Sequence, residues 1–187
     1  TSTRQAGAAG EGERDRPARL LLLAKNHAGY LRLCELLTQA YLGPRSRGRA
    51  EISRAAFAAG DNAGLIALSG AAQGDVGQAL LMGSAPQAEA AARAWARLFP
   101  DSYYIELQRY GQPQAEQLVA ASVALAAKLD LPVVATHPLQ FIARDDFKAH
   151  EARVCIAEGY VLADPRRPKQ FTEEQYFKSQ AEMQALF

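Results

Sequence analysis

Four short apolar or β-branched runs, Leu20 to Ala24, Leu65 to Leu68, Tyr103 to Leu107 and Val133 to Ala135, alternate along the chain with stretches of helical periodicity. This alternation predicts parallel strands joined by helical crossovers, an α/β fold. The last run sits within Leu131-Pro-Val-Val-Ala-Thr-His-Pro-Leu-Gln-Phe-Ile142, which reads as a buried strand, apolar on both faces, that opens straight into polar residues. In α/β folds the carboxyl end of such a strand is where chemistry sits.

The helical stretches carry their own start and stop signals. Asn26 is placed to cap a helix whose Tyr30, Leu33, Leu36, Leu37 and Tyr41 recur at spacings of three and four, predicting one inward face, with Gly43-Pro44 as the stop. Ser84 with Gln87 forms a capping-box pattern before an Ala-rich helix ending at Leu98 and Phe99. Pro113 suits the first turn of a helix running to Leu129, with Leu118, Leu125 and Leu129 inward. Thr172 with Gln175 and Ser179 with Glu182 predict two short helices near the end. Residues 1–18 hold Gly, Ala, Arg and Glu without apolar periodicity and read as a flexible lead-in, while Arg45-Ser-Arg-Gly-Arg49 reads as an exposed connection.

Five segments, in order, resemble the PHP domain (polymerase and histidinol phosphatase domain) of bacterial DNA polymerase III alpha subunits. They are Leu20-Leu-Leu-Leu-Ala-Lys-Asn-His-Ala-Gly-Tyr30 with Leu33-Cys-Glu-Leu-Leu37; Gly64-Leu-Ile-Ala-Leu-Ser-Gly70 with Gly74-Asp-Val-Gly77; Tyr104-Ile-Glu-Leu-Gln-Arg-Tyr-Gly111; the strand ending at His137; and Ala149-His-Glu-Ala-Arg-Val-Cys-Ile156 with Asp164-Pro-Arg-Arg-Pro168. The resemblance implies part of a PHP-type (βα) barrel over residues 19–187, ending before the polymerase palm. The family's opening His-x-His strand and Thr-Asp-His-like turn have no counterpart, so the first strands are expected to be missing. Sheet edges left open this way are costly, and a second copy or residues 1–16 are expected to cover them.

The resemblance also implies a site. Metal-binding members hold two or three divalent ions through His, Asp, Glu and Cys at strand ends, to activate water against a phosphate ester. Where they carry Asn-Asp-x-His, this chain has His137-Pro138-Leu139-Gln140; where they often carry Cys it has Ala71, and in place of a His it has Arg19. Proline offers no side-chain donor, glutamine only a neutral amide oxygen, and arginine stays protonated. Arg19, Ala71, His137, Pro138 and Gln140 therefore read as positions of a degenerate site, with no metal and no catalytic residue. His137, whose family counterpart is Asn, reads as a hydrogen-bonded structural residue, and His150-Glu151 as helix packing plus a surface charge, since adjacent helical residues point about 100° apart. Glu106 interrupts an apolar strand and reads as a cleft carboxylate that requires a partner such as Arg19 or Arg109. Arg166-Arg167-Pro168-Lys169 is too short and too poor in aromatics to indicate nucleic-acid binding and reads as a solvated loop.

Composition limits the function classes without naming one. At 187 residues and 49% hydrophobic content the chain can bury one core, and a formal charge of +1 gives no global pull toward nucleic acid or membrane. No apolar run approaches the ~20 residues of a membrane span. Cys34 and Cys155 both fall in apolar helical patterns and read as buried free thiols of a cytoplasmic protein.

The resemblance implies a non-catalytic PHP fragment of the replicative alpha subunit, supporting the polymerase body and docking the proofreading exonuclease (epsilon) subunit. Its parent would be a DNA-directed DNA polymerase, a nucleotidyltransferase using magnesium in a palm domain, with DNA and the sliding clamp as partners. The fragment itself would hold no cofactor. Two other classes stay open: a metal-dependent phosphoesterase or 3′-5′ exonuclease with a reduced site, and an unrelated α/β binding domain. The second needs a phosphate loop, and Gly70 to Gly77 lacks both the GxGxxG and Lys-Ser/Thr patterns.

Overall fold

The computed structural model describes residues 17–43, 50–167 and 169–187. The expected lead-in over residues 1–16, the Arg45 to Arg49 connection and Pro168 lie outside the described residues. All four predicted strands form: β1 (Leu21–Ala24), β2 (Leu65–Leu68), β3 (Tyr103–Gln108) and β4 (Val133–Thr136). They make a mixed sheet in the order β1-β2-β3-β4 that does not close, so the expected barrel is not seen among the described residues.

β2, β3 and β4 run parallel, with Ala67 opposite Tyr103 and Glu106 opposite Val134. β1 departs from expectation by running antiparallel to β2, pairing Ala24 with Leu65 and Leu21 with Leu68. The reason lies in the connection, whose described residues hold two helices, α1 (His27–Leu42) and α2 (Arg54–Ala58). One crossover helix returns the chain to the start of a strand and makes the next strand parallel. A second brings it back to the end it left, and Lys25 N–H donates to the Gly64 carbonyl there at 2.8 Å.

The chain divides into two compact units, residues 1–104 and 105–187, with β3 running across the boundary. The first unit packs Leu36, Leu65, Ala67, Val76, Phe99 and Tyr103 into its core. Phe57 meets Trp95 edge-on at 5.6 Å, an arrangement aromatic quadrupoles favour. Helices α3 (Asp75–Leu81) and α4 (Ala85–Leu98) follow β2 in sequence and pack against each other. The second unit holds α5 (Pro113–Leu129), α6 (Phe147–Glu158) and α7 (Gln180–Leu186), with Ile105, Leu107, Leu118, Leu125 and Phe141 buried.

Several local readings need correction. In α1 the Asn26 side chain does accept the Gly29 N–H, at 2.9 Å. The buried stripe, however, is Gly29, Arg32, Leu36 and Ala40, while Tyr30, Leu37 and Tyr41 are more than half exposed. Gly29 sets this rotation, because a Cβ there would sit 1.9 Å from the Gly64 oxygen, so only glycine permits the approach. Arg32 follows it inward and donates to the Ala56 carbonyl at 2.6 Å. Cys34 is exposed as a result, and Cys155 is buried as expected.

β4 is parallel to β3 but forms the sheet's edge, so Val133 is 46% exposed and the strand is not buried on both faces. Ser84 precedes α4 without making a side-chain cap, and Pro86 fills the first turn, where a missing N–H costs nothing. Thr172 and Gln175 make a turn, not a helix: the Gln175 side chain accepts the Thr172 N–H at 2.9 Å, and the chain then enters a bridge with Phe141. The Ser179 and Glu182 box forms as expected, and Glu182, which also accepts the Tyr176 hydroxyl, has its carboxyl held down at about 2.

Candidate functional site

The carboxyl ends of β3 and β4 bring three polar side chains of the second unit together. Glu106 is 6% exposed and accepts hydrogen bonds from Gln108 Nε2, at 3.0 Å, and from the Thr136 hydroxyl. Gln108 Nε2 also reaches Thr136 Oγ1 at 3.1 Å. The register explains the cluster: Gln108 pairs with Thr136 and Glu106 with Val134, so residues two apart on one strand stand on the same side. Of the two arginines expected to serve Glu106, Arg109 turns elsewhere. It binds Glu116 at 2.9 Å, caps the Leu186 carbonyl and lies over the Phe187 ring.

Beyond β4, the loop from His137 to Ile142 is held by the segment around Gln175. His137 Nε2 bonds the Glu174 carbonyl at 2.7 Å, Gln175 Nε2 donates to the Pro138 carbonyl at 3.0 Å, and Gln140 N–H donates to the Gln175 carbonyl at 2.9 Å. Phe141 and Tyr176 bridge in parallel. Glu174 is flanked by Lys178 at 2.8 Å and Arg144 at 2.6 Å, and these cations, Lys178 foremost, keep its carboxyl below the usual range. The pKa of His137 falls chiefly through burial, against the pull of the Glu174 and Arg109 backbones. Nothing in the sequence between residues 138 and 175 marks this pairing, since the bonds run mainly through main-chain groups. The Thr172 and Gln175 pattern was its only trace.

In the first unit, the Arg19 backbone lies against the turn that holds Ala71. Arg19 N–H donates to the Gln73 carbonyl at 2.8 Å, and the turn it meets opens with Gly70 at φ 79° and Ala71 at φ 44°. A Cβ on Gly70 would sit 2.3 Å from the Arg19 oxygen. The exposed Arg19 side chain borders a cleft of about 590 Å³ that also meets Arg54, Asp75 and Trp95. Asp75 accepts Trp95 Nε1 at 2.9 Å and pairs with Arg54, whose guanidinium lies over the indole at 4.6 Å. Burial, with the charge of Asp75 in support, pushes the Tyr103 hydroxyl far up, and among the described residues that hydroxyl finds no hydrogen-bond partner.

His150 lies between the rings of Phe141 and Phe171, at 5.4 and 4.7 Å, and burial lowers its pKa. Neighbouring Glu151 binds Arg167 at 2.6 Å, and Arg166 binds Asp164 at 2.8 Å, so both arginines of the basic loop have acidic partners within the fold.

Comparison with known proteins places this geometry. A sequence model of the PHP domain matches residues 5–110, more than half of the chain. The chain belongs to the PHP domain family. It is 55% identical over 165 residues to the DNA polymerase III subunit alpha of Neisseria meningitidis serogroup A / serotype 4A, a match covering 87% of this chain and 14% of that protein. The namesake subunit of Pseudomonas fluorescens is 45% identical over 170 residues (91% of this chain, 14% of that one), and that of Escherichia coli strain K12 is 41% identical over 174 residues (92% and 15%). The chain thus spans 14 to 15% of the length of these relatives. PHP sites are metal sites by resemblance, so the donor set can be tested. Among the described residues no three His, Cys, Asp or Glu side chains come together, and those at the strand ends do not make up what a cluster of two or three divalent ions requires. Among the described residues no helix is long and apolar enough to cross a membrane.

Proposed function

We propose that this chain is the PHP region of a replicative DNA polymerase III alpha subunit in which the PHP site has lost its chemistry and serves as a scaffold. Arg19, Ala71, Pro138 and Gln140 stand where donors would be needed, with His137 beside them, and no metal or catalytic residue remains. The observation that carries this reading is that the groups best placed for chemistry are engaged internally: Glu106 by Gln108 and Thr136, His137 by the Glu174 carbonyl. A general base needs a lone pair within reach of a substrate proton; Glu106 is buried, and His137, whose Nε2–H donates to that carbonyl, keeps its lone pair on the buried Nδ1. The parent would be a cytoplasmic DNA-directed DNA polymerase, with magnesium in its palm domain and with DNA and the sliding clamp as partners. The scaffold would support the polymerase body and dock the proofreading exonuclease subunit, whose presence makes an internal phosphoesterase unnecessary.

The test uses the complete alpha subunit. Co-elution with the exonuclease subunit is expected, together with no metal beyond that of the palm and no hydrolysis of DNA 3′ ends or phosphodiesters when manganese or zinc is supplied. Hydrolysis that chelation abolishes and Glu106→Gln reduces would overturn the scaffold reading in favour of a reduced phosphoesterase. Absence of any complex, with a folded subunit, would overturn the docking role.

A further inference from the structure

The segment from Phe171 to Lys178 straps the loop that follows β4, and one titratable ring of α6 touches both. Besides the bonds through His137, Gln140 and Gln175, Phe177 N–H donates to the Phe141 carbonyl at 3.1 Å. The Phe141 ring of the loop and the Phe171 ring of the strap both rest on the His150 imidazole, which is only 6% exposed. The tautomer of that imidazole is fixed by chemistry. Arg153 can only donate, so its contact with Nδ1 at 3.2 Å makes Nδ1 the acceptor and leaves the proton on Nε2. Nε2 is buried and has no partner among the described residues.

A second proton must therefore enter at Nδ1, against the Arg153 guanidinium. Arg153 is exposed and can turn away, but the rings of Phe141 and Phe171 cannot accept from either N–H. Among the described residues the charges that act on His150 are those of Arg153 and Glu151, both on α6, and Glu151 is already bound by Arg167 at 2.6 Å. The loop and the strap bring only the two phenyl rings against it. Ring quadrupoles attract a cation, yet they do not replace the hydrogen bonds that an imidazolium makes with water. A charged His150 thus gains by parting Phe171 from Phe141. The strap is the side that yields, since it is held to the loop by a handful of bonds while α6 is a 12-residue helix. His137 does not act this way, because its Nε2–H donates to the Glu174 carbonyl in either protonation state.

We propose that His150 is a proton-operated catch for this strap. Neutral, it seats Phe171 and holds residues 171–178 on the loop from His137 to Ile142; protonated, it releases the strap while the sheet stays folded. The catch is independent of the scaffold and docking roles.

Hydrogen exchange read by mass spectrometry on the full alpha subunit separates the strap from the sheet. Burial favours the neutral ring in the closed form, so closure is complete above the free value near 6.5 and weakens as pH falls below it. Corrected for intrinsic rates, exchange of residues 171–178 should rise roughly threefold to tenfold between pH 7.5 and 5.5, since one proton allows at most about tenfold per pH unit. The β3 amides should stay within about twofold over the same range. His150→Phe keeps a ring between Phe141 and Phe171 that takes up no proton, and its strap should remain closed at pH 5.5. Arg153→Gln, at an exposed position, keeps a donor for Nδ1 without the like charge and should move the rise to lower pH. A strap whose exchange is flat with pH would overturn the proposal. So would a rise that β3 shares, one that persists in His150→Phe, or one left unmoved by Arg153→Gln.

Discussion

Thr136→Val tests whether the strand-end cluster is a structural network. The change keeps shape and β-branching but removes the hydroxyl that donates to Glu106, whose carboxylate is 6% exposed. A hydrogen bond to a charged group contributes roughly 1.5–3 kcal/mol. Thr136 is half-buried, so water can recover part of the loss and the lower end applies. A local destabilisation of about 2 kcal/mol corresponds to roughly 30-fold in an opening equilibrium. Hydrogen exchange of the β3 and β4 amides in the intact subunit measures that opening. Thr136→Ser keeps the hydroxyl and should restore most of the protection. In a Glu106→Gln background the acceptor is neutral, so the cost of Thr136→Val should drop to about 1 kcal/mol, roughly fivefold. Exchange in Thr136→Val within about twofold of the parent protein, or an equal effect in the Glu106→Gln background, would refute the argument that a charged carboxylate organises this cluster.

Two further outcomes follow from named contacts. Burial lowers the pKa of both His137 and His150, so their folded values lie below the unfolded value near 6.5 and the unfolded chain takes up the protons first. Stability of the second unit should therefore be complete above pH ~6.5 and decline from there toward the lower folded values. Exchange rates of α6 amides, corrected for intrinsic pH dependence, should rise as pH falls from 8 to 5, a rise that His150→Gln reduces, and a flat profile would count against it. Gly29→Ala places a Cβ where the Gly64 carbonyl lies 1.9 Å away, while Gly83→Ala meets nothing within 4 Å and only strains a positive φ. Soluble yield and protease resistance should collapse in the first, a loss of more than about 4 kcal/mol, and barely change in the second.

What the sequence disclosed and what it hid divide along a physical line. Strands are marked by short apolar runs, and all four appeared where Leu20 to Ala24, Leu65 to Leu68, Tyr103 to Leu107 and Val133 to Ala135 suggest. The direction of β1 was hidden because it depends on how many helices the connection holds, and α2 is only five residues long. The rotation of α1 was hidden because apolar spacing gives a periodicity but not its phase. The backbone contact of Gly29 with Gly64 sets that phase, and it carries Arg32 inward against its polarity. Glu106 was legible as a charge inside an apolar strand. Its donors were not, because Gln108 and Thr136 reach it only once β3 and β4 are in register. These two neutral donors add no second charge to be desolvated beside the carboxylate.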